Sequence, residues 1–301
     1  MIEVVDAGRW TTVQDRGRPG LERFGLPPGG AADWFAAAVA NRIVGNPQDA
    51  AILECTATGP TLRFGAAAVV ALAGGHSTLA ANWQPIPIAQ GASLTVGTIA
   101  PGLRSYIAVR GGIDVPPVLG SRSFCQRGSF GGGFGRPLQR GDALAVGRLG
   151  DRDPLSAPWP ESHRLPARGP WEVRVIPGPQ LDAFAGDALQ RLTATACRVT
   201  PEIDRMGLRL ATPGLRLQSH EIVTVPMTAG AIQVTPSGGL IVLHVDHQST
   251  GGYPAIATVI TADLALLAQA RPGDTVRFRN VDPTEAARAW RRLTGWLELD
   301  P

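Results

Sequence analysis

Short apolar runs, each shut off by a turn residue within a few positions, recur from one end of this chain to the other. The 301 residues include 37 Gly and 26 Pro, too frequent a punctuation for long helices. That pattern favours barrels or sandwiches over a doubly wound sheet. Strands are expected at 50–55, 68–73, 93–97, 105–110, 172–176, 222–225, 240–245, 255–260 and 275–279, with a strand-like start over the first six residues. Three stretches carry helical spacing. Residues 33–44 place Phe35, Val39 and Ile43 on one face and stop at Gly45-Asn46-Pro47. A second helix is expected over 180–192. The third, 283–297, has Asp282 to cap it, Pro283 in its first position and Glu285 at capping-box spacing. Its stripe of Ala286, Ala289, Trp290, Leu293, Trp296 and Leu297 should pack on a barrel.

The length exceeds the usual single domain, so two domains are expected. The stretch 151–170 is rich in Pro, Ser and charge and lacks apolar periodicity, which places a linker at 156–170 between domains 1–155 and 171–301. A short echo links the halves: Gln139-Arg-Gly-Asp142 and Ala270-Arg-Pro-Gly-Asp274 both lead from Gly-Asp into an alternating strand. No apolar run reaches the roughly 18 residues of a membrane-spanning helix. The start of the chain is not that of a signal peptide. Cys55, Cys125 and Cys197 are far apart and in no metal or redox spacing. They read as small core residues in a reducing cytoplasm.

Every basic side chain is Arg, because the sequence contains no Lys. That excludes a Walker-type phosphate loop, Schiff-base chemistry and biotin attached to a lysine of this chain. The Arg residues are scattered, so the net charge of +3 gives no basic stripe for nucleic acid.

Polar chemistry is concentrated between Ile232 and Asp263. Two apolar runs, 240–243 and 256–260, flank His244-Val-Asp-His-Gln-Ser-Thr-Gly-Gly-Tyr-Pro254. The joining stretch reads either as a binding rim held by rigid strands or as an ordinary hairpin turn. His244 and Asp246, two apart on an extended strand, could form a hydrogen-bonded pair. Asp15, Arg16 and Arg18, set among glycines at 11–20, could hold an anion or form a solvated turn. No Gly-x-Ser-x-Gly elbow lies between a strand and a helix, and no dinucleotide fingerprint is present.

Several of these stretches resemble one family over nearly the whole chain. Thr11-Thr-Val-Gln-Asp-x-Gly-Arg18, Gly30-Ala-Ala-Asp33, Gly111-Gly-Ile-Asp114 and Leu119-Gly-Ser-Arg-Ser123 look like its first-half signatures. Asp204-Arg-Met-Gly207, Gln248-Ser-Thr-Gly-Gly-Tyr-Pro254, Ala262-Asp-Leu264 and Leu267-Ala-Gln269 look like its second half. It is the biotin-dependent carboxyltransferase family, also called the allophanate hydrolase subunit 2 family. The chain departs from its pattern at Gln233-Val-Thr-Pro-Ser-Gly238 and at Ser249.

The resemblance implies a mainly β (α+β) fold of tandem cyclophilin-like β-barrels with a few peripheral helices. It is strongest to the branch formed by the C component of 5-oxoprolinase. That branch implies a cytoplasmic subunit of an ATP-dependent complex that cleaves 5-oxo-L-proline to L-glutamate, with an A-type subunit and a kinase-inhibitor-like B-type subunit as partners. ATP would be the co-substrate and this chain would carry no covalent biotin. Asp246 and Gln248 are the catalytic candidates. Gln233, Thr250 and Tyr253 are expected to line the substrate pocket, with Arg205 and Arg18 as anion contacts and no metal. Two alternatives come with the family: a carboxyltransferase subunit of a urea carboxylase or allophanate hydrolase system, and a regulatory partner of a histidine-kinase-inhibitor-like protein.

Overall fold

A computed structural model of the chain describes residues 1–211, 215 and 222–298. They form two compact units, the first built on residues 1–18 and 29–167 together with 295–298, the second on 19–28 and 168–294.

Unit 1 contains ten strands: β1 (Ile2–Asp6), β2 (Thr11–Gln14), β3 (Ile52–Thr56), β4 (Thr58–Phe64), β5 (Ala68–Gly74), β6 (Pro85–Ile88), β7 (Ser93–Thr98), β8 (Arg104–Val109), β9 (Ile113–Asp114) and β10 (Ala143–Val146). They make two five-stranded sheets, ordered β7-β4-β1-β10-β9 and β2-β3-β8-β5-β6. Inward residues of both sheets share one core that includes Val4, Leu53, Leu62, Leu72, Val96, Ile107 and Leu144. Helix α1 (Trp34–Ile43) packs on β5 and β8, so every residue of β8 is buried. Asp33 caps α1 by accepting from the Ala36 amide at 2.9 Å, and the chain turns out of the helix through Gly45 at φ +77°.

Unit 2 is a closed barrel ordered β11-β18-β15-β16-β13-β12-β19. Its strands are β11 (Trp171–Pro177), β12 (Ala196–Ile203), β13 (Gly207–Ala211), β15 (Ala231–Val234), β16 (Leu240–Leu243), β18 (Ala255–Val259) and β19 (Thr275–Asn280). Outside it lies a two-stranded ribbon, β14 (Val225–Pro226) with β17 (Thr250–Gly251). Alternation along the strands sends Leu208, Leu210, Ile232, Val234, Leu240 and Val242 into the barrel core. Gly207, Arg209, Gln233, Ile241 and Leu243 are left to face outward. The ring closes through the parallel pairing of β11 with β19, which joins residues about a hundred positions apart.

The strands expected from the sequence form within a residue or two, except near 222–225, where only Val225 lies in a strand. The expected helix over 180–192 is broken. A 3-10 turn (Leu181–Ala183) is followed by α2 (Ala188–Ala194), with Gly186 in the gap and Phe184 buried there. A four-residue helix, α3 (Leu264–Leu267), has no counterpart in the sequence expectation. Helix α4 (Pro283–Glu298) forms as expected and Asp282 accepts from the Glu285 amide at 2.8 Å. Glu285 does not complete the capping box: its carboxylate meets Arg279 at 2.6 Å. Trp290 is exposed, while Ala289, Leu293 and Leu297 carry the buried face.

The repeated Gly-Asp turn is the same device in both units, atom for atom. The Gly141 amide donates to Val4 and the Val4 amide returns to Asp142, each at 2.8 Å. In unit 2 the Gly273 amide donates to Val199 at 2.8 Å and the Val199 amide returns to Asp274 at 2.9 Å. Both aspartates accept from the amide three residues earlier, Gln139 at 2.7 Å and Arg271 at 2.9 Å. Both glycines have φ near +90°, the left-handed region that favours glycine. The three cysteines are buried and form no disulfide among the described residues.

Candidate functional site

The polar stretch 244–254 is not a hairpin turn between its two flanking strands. Strands β16 and β18, which flank it, are not neighbours, because β15 lies between them in the barrel. Residues 244–254 must therefore cross over the end of β15. In crossing they lay down β17, which pairs with β14 outside the ladder. A cleft of about 460 Å³ opens between this ribbon and the outer face of the barrel. Its floor is Arg209, Ile241, Leu243 and Gln233, its ribbon wall is Gln248 with Gly251-Gly252-Tyr253, and Glu202 and Asp204 stand at its edge.

Gln233 is held in one orientation. Its strand shifts register against β18 between Ile232 and Gln233, the kind of irregularity that re-aims a side chain. Its Nε2 donates to the Tyr253 carbonyl at 3.1 Å and contacts Met227 Sδ at 3.3 Å. Its Oε1 accepts from Gln248 Nε2 at 3.2 Å. Gly251 leaves the room this requires, since a Cβ there would come within 2.7 Å of Gln233 Nε2. Gln233 is 1% exposed and Tyr253 is 42% exposed, so one is a buried brace and the other the rim. The side-chain oxygen of Gln248, Oε1, accepts no hydrogen bond from the described residues, and Gln248 lines the cleft.

Beneath the rim, Arg205 grips Asp246 through two parallel hydrogen bonds, Nε to Oδ2 at 2.8 Å and Nη2 to Oδ1 at 3.1 Å. Both side chains are almost fully buried. The backbones are tied as well, with the Asp246 amide donating to Arg205 at 2.9 Å and the His244 amide to Met206 at 2.8 Å. This pair anchors the start of the crossover to the 204–207 turn. The His244–Asp246 pairing open in the sequence does not form: strand β16 ends at Leu243, and His244 Nδ1 accepts from the Val245 amide at 2.9 Å. Asp204 is spent on its own turn, accepting from the Met206 and Gly207 amides at 2.7 and 3.1 Å. The nearby Thr200 hydroxyl, Glu202's own amide and the charge of Arg209 hold the Glu202 carboxyl below the usual carboxylate range.

Of the residues singled out in the sequence, Gln233, Gln248 and Tyr253 come together on the cleft. Arg205 and Asp246 pair with each other below it. Thr250 is exposed, opposite Pro226 in the ribbon. Arg18 belongs to unit 1, where it donates to the Ser123 carbonyl at 2.8 Å and lies 5.0 Å from the centre of the Phe130 ring. Its neighbour Asp15 is bound by the hydroxyls of Ser121 and Ser123 and by the Gly17 amide. That loop clasps 118–125, so Asp15 is not a solvated turn residue. Sequence reasoning does not single out Arg209 or Met227 as site residues. Strict alternation in Gly207-Leu-Arg-Leu-Ala211 is the signal that turns Arg209 outward. Among the described residues no cluster of His, Cys, Asp or Glu could hold a metal, and no helix is long and apolar enough to cross a membrane.

Comparison with known proteins bears on this arrangement. Residues 24–280 match the model of the carboxyltransferase domain, subdomains A and B. The chain is 35% identical to the C-type subunit of 5-oxoprolinase from Escherichia coli, over 96% of this chain and 94% of that one. It is 34% identical to urea amidolyase of Lachancea kluyveri over 92% of this chain, which is 17% of that protein. The crystal structure of the K. lactis urea amidolyase superposes with a TM-score of 0.93 at 32% identity, covering 99% of this chain and 20% of that one. The first relative is by name an enzyme subunit, the urea amidolyases are far longer than this chain, and this chain is built like that subunit and like one part of those. With more than two thirds of its length matched, it belongs to the family of carboxyltransferase domains, subdomains A and B.

Proposed function

We propose that the chain is the C-type subunit of an ATP-dependent 5-oxoprolinase complex and that the cleft on the outer face of the barrel of unit 2 receives the lactam. The observation that carries this reading is the Gln233–Gln248 pair. It leaves one amide carbonyl without a partner among the described residues, on a residue lining a cleft floored by Ile241 and Leu243, the complement of a neutral amide N–H. The similarity to the E. coli C-type subunit supports it, because nearly all of that protein has a counterpart here.

In this reading Gln248 and the Gly251-Gly252 backbone hold the substrate amide in place, and Tyr253 closes the rim. Asp246 acts through Arg205 to hold the crossover, so it is a positioning residue rather than a base. The cleft does not suit a triphosphate: its wall carries one guanidinium against two carboxylates and no Lys. Nucleotide handling therefore falls to an A-type or B-type partner in a cytoplasmic assembly. The test is reconstitution with A- and B-type subunits, following glutamate release from 5-oxo-L-proline. Glutamate should appear only with all three proteins and ATP. None from the complete set would sink the proposal.

A second reading is favoured by the superposition on urea amidolyase: transfer of a carboxyl group to urea from biotin carried on another protein. It predicts urea carboxylation when a biotin carboxylase and its carrier are supplied.

A further inference from the structure

One outward residue of unit 2 has no part in holding the site together. Arg209 on β13 stands opposite Ile241 on β16, and Ile241 stands opposite Gln233 on β15. The three form a single row across the cleft floor: a cation, an apolar side chain and an amide. With neighbouring strands about 4.8 Å apart, the Arg209 and Gln233 backbones are separated by roughly 10 Å, a span that the arginine side chain shortens. Arg209 is exposed, and no described residue takes a hydrogen bond or salt bridge from it. Its charge is felt by the Glu202 carboxylate. Asp204, the other carboxylate on the wall, is occupied by backbone amides. The cleft thus has two unlike ends: an immobilised amide pair and an exposed guanidinium.

We propose that Arg209 is a specificity-determining residue which reads a carboxylate on the ligand while Gln248, braced by Gln233, reads its amide. The ligand class is a small cyclic amide bearing a carboxylate, as opposed to a neutral lactam or a ureide. This rests on the assignment of the cleft as the substrate site and goes further by saying which group of the substrate is selected and by what. Glu202 competes with the ligand for the guanidinium.

The experiment uses the reconstituted complex of all three proteins with two substrates, 5-oxo-L-proline and 2-pyrrolidinone, which has the same lactam and no carboxylate. Wild type should prefer the acid. A charge-assisted contact to a carboxylate is worth a factor of about 10 to 100, so Arg209→Gln should raise KM for 5-oxoproline by about that factor with kcat little changed. The constants for 2-pyrrolidinone should not move, and Glu202→Gln should lower KM for the acid. Equal effects of Arg209→Gln on both substrates, or none on either, would overturn the proposal, and circular dichroism separates misfolding from lost recognition. If the complex turns over no lactam, the functional assignment fails on its own. Calorimetric titration of the same complex with the two compounds then decides the role of Arg209. An Arg209-dependent preference for the acid supports it, and the lack of one refutes it.

Discussion

A glutamine amide that donates from one end and accepts at the other cannot turn over without breaking both bonds. Gln233 is in that position, and Gly251 is its backstop. Replacing Gly251 by Ala should push the Gln233 amide aside. Misplacement by about 1 Å can cost a factor of roughly 10² in rate, so we expect the Gly251→Ala complex to lose activity on that scale while melting within a few degrees of wild type. The Arg205–Asp246 pair behaves differently. Removing one partner leaves a buried charge, at a cost of about 3–5 kcal/mol, so Arg205→Leu should lower the denaturation midpoint sharply. Indifference of stability to that change would show that the pair does not anchor the crossover. The polar residues of the rim are legible in the sequence because they cluster between two apolar runs. What each does is not. Whether an aspartate meets a histidine two residues away or an arginine forty residues away is decided by where strand β16 ends. Arg18 is half-legible for a similar reason: among glycines it looks like an anion contact, and only the fold brings the Ser123 carbonyl to it.

At the level of elements, the repeated Gly-Asp turn locks a strand to the following chain in each unit. In each unit its aspartate has an added partner: Asp274 accepts from Trp171 Nε1 at 2.8 Å, and Asp142 receives both terminal nitrogens of Arg136 at 2.8 and 2.7 Å. Arg136 first, helped by the Gln139 amide and against the opposing effect of burial, holds the Asp142 carboxyl below its ordinary value. A carboxyl depressed in the folded state stabilises it above the unfolded value, near 4, and that contribution fades as pH falls through the folded value. The difference in melting temperature between wild type and Asp142→Asn should therefore be largest at neutral pH and shrink below about pH 4. A constant difference across pH would refute the assignment. The same local logic explains the helices. Asp33 and Asp282 announce their helices because capping is a short-range event; Asp33→Ala should cost about 1 kcal/mol. The break within 180–192 has a weaker local signal in Gly186, overridden by the helical spacing around it.

On the scale of the whole molecule, each unit encloses its own apolar core. Cys55 lies in the first and Cys197 in the second. Burial, outweighing the hydrogen bond with Thr11, pushes the Cys55 thiol up to about 12, where the reactive thiolate is scarce. Alkylation of native protein at pH 8 should leave Cys55 unmodified until denaturant is added, read by intact mass. Rapid native labelling would contradict the packing. The mainly β character and the place of most strands are open to inspection in the sequence, since each strand announces itself by a local run and a turn. Closure of the barrel is not, because the pairing of β11 with β19 joins segments with no local trace of each other. The ribbon of β14 and β17 has a further consequence. It lies outside the barrel ladder, and among the described residues the Gln233 bond to the Tyr253 carbonyl ties the chain just after it to the barrel. Segments outside the ladder open locally at far lower free energy than a barrel unfolds. On warming, the cleft should lose its roof while the barrel is intact, so catalysis would fade before the circular dichroism does and return on cooling.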